Sequence, residues 1–250
     1  MTVRSPAPAP APAPVPELVF LYDIDNTLLN NDQLKSDIDT RLFRELGAEW
    51  SDLFWKIYEI VRREEDVVDI PEAIRRFEAN CPDDAACKTV HDTFQELDFR
   101  RYVYPGALEA LQHTAQMGTN VILSDGDPVF QRRKAEESGI AAAAEGHVLI
   151  YVHKEQHVDE ILSWFCADRY VQIDDKPRIL KAMPRLLGSR LVTVFVCQGH
   201  YAHDPQMRAD FAPDLTLTGI GDILEYGADE FRTGDFHRQG ACAIDANRAA

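Results

Sequence analysis

Cysteine is scarce and unpatterned in this 250-residue chain: Cys81, Cys87, Cys166, Cys197 and Cys242 form an odd set with no C-x-x-C pair of the kind that holds zinc or makes a redox dithiol. That usage suits a reducing, cytoplasmic setting. Long apolar runs are missing as well. None approaches the roughly 18 residues that a membrane helix needs, and Arg4 has no apolar stretch behind it to make a secretory signal. Basic charge is the third shortage, because 26 Lys and Arg face 42 Asp and Glu for a formal net charge of -16. So acidic a chain argues against sequence-independent binding to nucleic acid or to an anionic membrane, both of which need a basic surface. A site for an anion must then be made positive locally, by a metal or by a few cations.

What is present is enough apolar sequence, 45% of residues, to bury one substantial core and a smaller second lobe. Residues 5–16, SPAPAPAPAPVP, alternate proline with small residues and read as an extended arm, which places residues 1–17 outside the core. From Thr233 the sequence loses apolar periodicity, so 233–250 reads as a flexible tail. Between them, short valine- and isoleucine-rich runs alternate with helical patterns, the signature of a parallel sheet with crossover helices. The expected strands are 18–22, 120–123, 147–152, 170–173, 191–196 and 214–218. Asp127 and Pro128 suit the cap and first position of a helix that ends before Gly139. Helices over 106–117 and 177–187 end at Gly118 and Gly188 by the same logic.

One stretch breaks the alternation. Leu34, Ile38, Leu42 and Leu46, then Leu53, Ile57, Ile60 and Val61, then Ile70, Ile74 and Phe77 recur at helical spacing, with no strand pattern among them. The organisation expected is therefore an α/β core over 18–29 and 105–232 with a helical cap, 30–104, inserted over the sheet's C-terminal edge. No internal repeat is visible.

Ligands of open α/β sheets bind beyond the carboxyl ends of strands, so the polar residues that follow each apolar run are the candidates. LVFLY is followed by Asp23-Ile24-Asp25-Asn26-Thr27, and VIL by Ser124-Asp125-Gly126; Lys154 lies beyond the third run, and Asp174-Asp175 follow YVQI. In this order the four elements resemble the motifs of the haloacid dehalogenase superfamily, in its phosphatase-type branch with a helical cap between the first and second motifs. The resemblance covers roughly residues 18–225 and implies a doubly wound, Rossmann-like parallel sheet with that cap inserted.

The chemistry can also be argued from the residues. Phosphate monoesters resist hydrolysis because their anionic charge repels a nucleophile, so catalysis rests on positioning and neutralisation. With Mg²⁺ as the cofactor, Asp23 can attack phosphorus and form an acyl-phosphate. The metal wants oxygen ligands, which Asp23, the Asp25 carbonyl and the acidic pair offer. By analogy with the family's fourth motif Asp175 is the direct ligand and Asp174 its support, although two adjacent acids leave that order open. Asp25 serves as general acid and base. Ser124 with the backbone at Asp125 and Gly126 holds phosphoryl oxygens, and Lys154 neutralises them, with Lys176 as its rival. The expected partner is a small phosphorylated metabolite.

Blander readings stand beside these. Asp23 and Asp25 also suit a simple turn. His153 with His157, and His200 with His203 and Asp204, are incomplete metal sets and read as ordinary histidines, with His200 or Tyr201 at the rim. Arg62, Arg63, Arg75 and Arg76, interleaved with Glu64, Glu65, Asp66 and Asp69, read as a solvated face. Trp50, Phe54, Trp55 and Tyr58 read as cap core. The alternatives in function are a metal-free dehalogenase, in which the second aspartate of the first motif is normally replaced, and a non-catalytic binding protein that keeps the fold.

Overall fold

Strand β1 (Leu18–Tyr22) is buried along its whole length and sits inside a sheet rather than at its edge. The computed structural model describes residues 17–65, 68–204, 212–240 and 242; the Pro-Ala run and Asp66 lie outside the described residues. After β1 come α1 (Asn31–Glu64), α2 (Ile70–Asn80), α3 (Asp84–Gln95) and α4 (Ala107–Thr114). Then β2 (Thr119–Asp125), α5 (Pro128–Glu137), α6 (Ile140–Ala143), β3 (Val148–Tyr151), α7 (Val158–Trp164) and β4 (Arg169–Asp174) follow. The chain continues with α8 (Pro177–Ala182), α9 (Pro184–Leu187), β5 (Leu191–Val196), α10 (Gly199–Ala202), β6 (Leu215–Leu217) and α11 (Ala228–Thr233).

The six strands lie in the order β3-β2-β1-β4-β5-β6, and every neighbouring pair is parallel. Because the chain leaves β1 in one direction for β2 and returns on the other side for β4, the strand order reverses at β1, and a crevice opens beyond the carboxyl ends of β1 and β4. Tyr22 pairs with both Ile122 and Ile173, so the residues one step on, Asp23, Leu123 and Asp174, come level with one another.

The insertion between β1 and β2 is helical, as its periodicity predicts. Gly47, at φ 76° and ψ 177°, breaks α1 internally, since a residue with a Cβ rarely takes that backbone. Helices α2 and α3 start where Asp69 and Asp83 accept hydrogen bonds from the first-turn amides. Phe54 of α1 anchors the three-helix packing, with ring centroids 6.0 Å from Phe77 of α2 and 5.3 Å from Phe94 of α3. Burying one such ring is worth about 1.5–3 kcal/mol. The two connections to the sheet run side by side: Asn30 N donates to Tyr102 O at 2.7 Å and Tyr104 N to Leu28 O at 2.9 Å.

Two expectations need correction. Pro184 divides the single helix expected over 177–187 into α8 and α9, since proline supplies no amide to continue the ladder. The tail expected to be flexible is anchored over its described residues. Phe236 packs on Tyr226 and Phe231, Gly240 N donates to Thr216 O at 2.7 Å, and Cys242 forms a disulfide with Cys197. The cysteine usage pointed to a reducing setting, yet this pair is joined across a sequence separation of 45. No described helix is long and apolar enough to cross a membrane.

Candidate active site

Asp23 follows directly on β1, with its amide still donating to Ile173 O at 3.0 Å, and the residue has no solvent exposure. Lys154, also fully buried, reaches it from the far side of β2. Its Nζ donates to Asp23 Oδ1 at 2.6 Å and to Leu123 O at 3.0 Å, and lies 2.7 Å from Asp174 Oδ2. A cation this deep persists only when neighbouring charges outweigh its desolvation. Burial alone lowers the Lys154 pKa, but the carboxylates of Asp174 and Asp23 raise it above the ordinary lysine value. Burial likewise disfavours the charge on Asp23, and Lys154 and Lys176 overcome it, holding that carboxyl below its usual range.

The backbone on either side of these groups is constrained. Asn26 at φ 60° and His153 at φ 62° lie in the left-handed region, which costs a side-chain-bearing residue of order 1 kcal/mol or more. One follows Asp25, and the other precedes Lys154 and turns that side chain inward. Gln198 pins the first loop from across the sheet, donating to Thr27 O at 2.9 Å and Asn26 O at 3.3 Å while accepting from Ile220 N at 2.7 Å.

The acidic pair divides its duties. Asp174 accepts from the Lys176 amide at 2.9 Å in addition to its contact with Lys154. Asp175 is buried, and neither of its oxygens has a hydrogen-bond partner among the described residues; Asp23 Oδ2 lacks one too. Burial pushes Asp174 up and Asp175 well up, with lysine charges opposing. Asp23, Asp174 and Asp175 each present a carboxylate oxygen within 4.8 Å of the others, which fits a hard cation that takes oxygen ligands, and no other metal-capable group of this kind occurs among the described residues. Lys176, the rival of Lys154 in the sequence, stands beside it here, with Nζ 3.6 Å from Asp23 Oδ2.

Ser124 and Asp125 end β2 beside this group. Ser124 is buried, and Asp125 accepts from the Lys154 amide at 2.7 Å, which ties the second motif to the third. Gly126 has φ 149°, and a Cβ there would come within 2.5 Å of Gln131 Cγ, so glycine is required for the turn into α5. Asp25 stands apart from the buried set. Its two oxygens accept from Lys134 Nζ at 2.6 Å and Gln131 Nε2 at 2.8 Å. Neither α5 residue stood among the sequence candidates. Only the fold reveals them: Gln131, Lys134 and Ala135 share the buried stripe of α5, and two polar groups on a core-facing stripe need partners.

The other candidates fall outside the cluster. His157 stacks on Tyr151 at 4.3 Å, and His200 Nδ1 lies 2.7 Å from Asp32 Oδ1, so neither histidine set gathers around an ion. Arg62 pairs with Glu59, and Arg75 and Arg76 pair with Glu72, all within the cap. Phe54 and Tyr58 are buried cap core.

A doubly wound parallel sheet with acidic residues massed at its switch point and helices inserted after β1 defines the haloacid dehalogenase-like class of fold. A protein of Burkholderia xenovorans LB400, described as a haloacid dehalogenase-like hydrolase, is 44% identical to this chain over 86% of it and 98% of that protein, with a TM-score of 0.79. The chain belongs to the haloacid dehalogenase-like hydrolase family. Two more distant structures share the fold alone. An L-2-haloacid dehalogenase of Xanthobacter autotrophicus is 14% identical with a TM-score of 0.53, covering 84% of this chain and 98% of its own. A protein of Thermotoga maritima described as a beta-phosphoglucomutase is 16% identical with a TM-score of 0.57, covering 83% and 96%. No family model and no curated protein matches the sequence.

Proposed function

We propose that this hydrolase is a Mg²⁺-dependent phosphatase of a small phosphorylated metabolite that works through an aspartyl-phosphate on Asp23. The observation that carries the reading is the set of three buried carboxylates, Asp23, Asp174 and Asp175, in which Asp23 Oδ2 and both Asp175 oxygens are left without hydrogen-bond partners. The acidic pair and Asp25 speak against a metal-free dehalogenase.

Asp23 and Asp175 would hold the ion, with Asp174 kept in place by Lys154 and the Lys176 amide. When bound, Mg²⁺ neutralises phosphoryl charge and lowers the repulsion between two anions. Lys154 fixes the Asp23 carboxylate by one oxygen and leaves the other for attack. In the first step Asp23 forms a bond to phosphorus as the ester P–O bond breaks, and Asp25 gives a proton to the departing oxygen. In the second, Asp25 takes a proton from water as that water attacks phosphorus. The P–O bond to Asp23 breaks, releasing phosphate and restoring the carboxylate. Ser124, at the end of β2 next to β1, and the turn at Gly126 would hold the phosphoryl oxygens.

Turnover of p-nitrophenyl phosphate with Mg²⁺, and after EDTA, tests the reading. Asp23→Asn, isosteric but not nucleophilic, is expected to lower kcat by about 10⁴-fold or more, in line with removal of a covalent nucleophile. Wild-type turnover by Asp23→Asn sinks the assignment, and halide release from 2-haloacids without metal replaces it with dehalogenation.

A further inference from the structure

Lys134 is a buried cation outside all four motifs, and two of its three N–H donors are engaged. Nζ donates to Asp25 Oδ1 at 2.6 Å and to Asn31 Oδ1 at 3.0 Å, and the side chain is 2% exposed. Gln131, one turn earlier on α5, takes the other oxygen of Asp25 and is itself tied to Asp125 O at 3.0 Å. Helix α5 is fixed at its start, where Asp127 accepts from the amides of Val129 and Phe130. A rigid helix thus presents two donors to one carboxylate. The third partner matters equally, since Asn31 is the first residue of α1 and therefore the point where the helical insertion begins.

A lysine that served only to fill space at this depth would cost more than an apolar side chain of the same length. Its contacts with Asp25 and Asn31 instead define where the Asp25 carboxylate points. Asp25 needs that definition, because it is 18% exposed and these two donors are what its carboxylate hydrogen-bonds among the described residues.

We propose that Lys134 is a positioning residue for the phosphoryl-transfer reaction, holding Asp25 in its working orientation and, through Asn31, linking that orientation to the seat of the cap's first helix. The inference rests on the phosphatase reading for its kinetic consequence but not for its structural one. Misplacing an acid-base group by about 1 Å is enough to cost on the order of 100-fold in rate.

The test takes Lys134→Met, which keeps the stem and removes the charged head, Lys134→Arg, which restores a cationic donor, and Asn31→Ala. With Mg²⁺ and p-nitrophenyl phosphate, Lys134→Met is expected to lose about 100-fold in kcat with KM within a few-fold, Lys134→Arg to recover at least about 10-fold of it, and Asn31→Ala to lose several-fold. A purely structural lysine predicts a lower melting temperature with kcat unchanged, and that result overturns the proposal. Crystal structures of wild type and Lys134→Met separate the two readings whatever the activity. Should the wild type prove not to be a phosphatase, a shifted Asp25 side chain in Lys134→Met still supports the positioning role. An unmoved one refutes it, as does failure of Lys134→Arg to restore either orientation or rate. If Lys134→Met does not fold, Asn31→Ala and Lys134→Arg carry the same comparison.

Discussion

Carboxylates meet cations at nearly the same distances in two parts of this protein. In the cap, Arg75 and Arg76 lie 2.5–2.6 Å from oxygens of Glu72 and Glu64, with side chains 23–66% exposed. At the end of β1, Lys154 lies 2.6 Å from Asp23 and 2.7 Å from Asp174, and none of the three is exposed. Distance does not separate the two groups; water does. An exposed pair exchanges hydration for a contact of similar worth, whereas a buried one has given up hydration entirely and depends on every remaining partner. A fold that required only stability would do as well with apolar side chains at Asp23, Lys154 and Asp174. Their presence at a switch point is what marks the group as functional.

The sharpest way to break this comparison is to remove one buried cation. Lys154→Met leaves Asp23 and Asp174 facing each other without their shared counter-charge, and the expected loss of folding stability is about 3–5 kcal/mol, read as a lower urea midpoint at unchanged slope. Lys176→Met should lose less, because its side chain is 21% exposed where that of Lys154 is not exposed at all, and its Nζ stands farther off, 3.6 Å from Asp23. Equal losses would show that the two lysines share the Asp23 charge evenly, contrary to their burial.

The unpartnered oxygens give a second test of opposite sign, in which a cation is added. An ion that binds only the folded state contributes about 1.4 kcal/mol at tenfold over its dissociation constant, or about 3–6 °C in Tm for a chain of this size. Differential scanning calorimetry with Mg²⁺ should show that rise in the wild type and its disappearance in Asp175→Asn. A Tm indifferent to Mg²⁺ in the wild type counts against the metal.

Much of this was legible beforehand because it depends on local pattern. Strands buried on both faces announce themselves as valine-rich runs, so β1 and β5 fall at the predicted residues, and β2 and β4 extend by a residue or two into Asp125 and Asp174. The polar residues that end those strands are the ones the structure brings together. What stayed hidden depends on contacts across the fold. Lys134 and Asp25 are separated by 109 positions, and nothing near Lys134 in sequence marks it as other than a helix-face lysine. Gln198 reaches 171 positions back to Thr27 O. Cys197 and Cys242 pair only because the last described segment runs back along β6, where Gln239 and Gly240 bond Thr216. Loss of apolar periodicity after Thr233 suggests loss of order, but a strap held by one backbone bond, the Gln239 side chain and a disulfide needs no periodicity.

The smallest effect belongs to the cap, and it tests the exposed half of the comparison. Hydrogen bonds from Arg75 and then Arg76 hold the Glu72 carboxyl at about 2, below its ordinary value of 4.5. A carboxylate whose pKa is lower in the folded chain adds stability that is fully present above the unfolded value and is lost as pH falls through the folded one. Between about pH 4.5 and pH 2 the wild type should therefore lose its Glu72 contribution, while Glu72→Gln has none to lose. The buried carboxylates titrate in both proteins alike, so the difference between the two urea midpoints isolates Glu72. That difference should be slight at pH 7, shrink further toward pH 2, and fade in high salt, since the pairs lie open to solvent. A large, salt-resistant gap at neutral pH would place the cap's ion pairs with the buried cluster rather than against it.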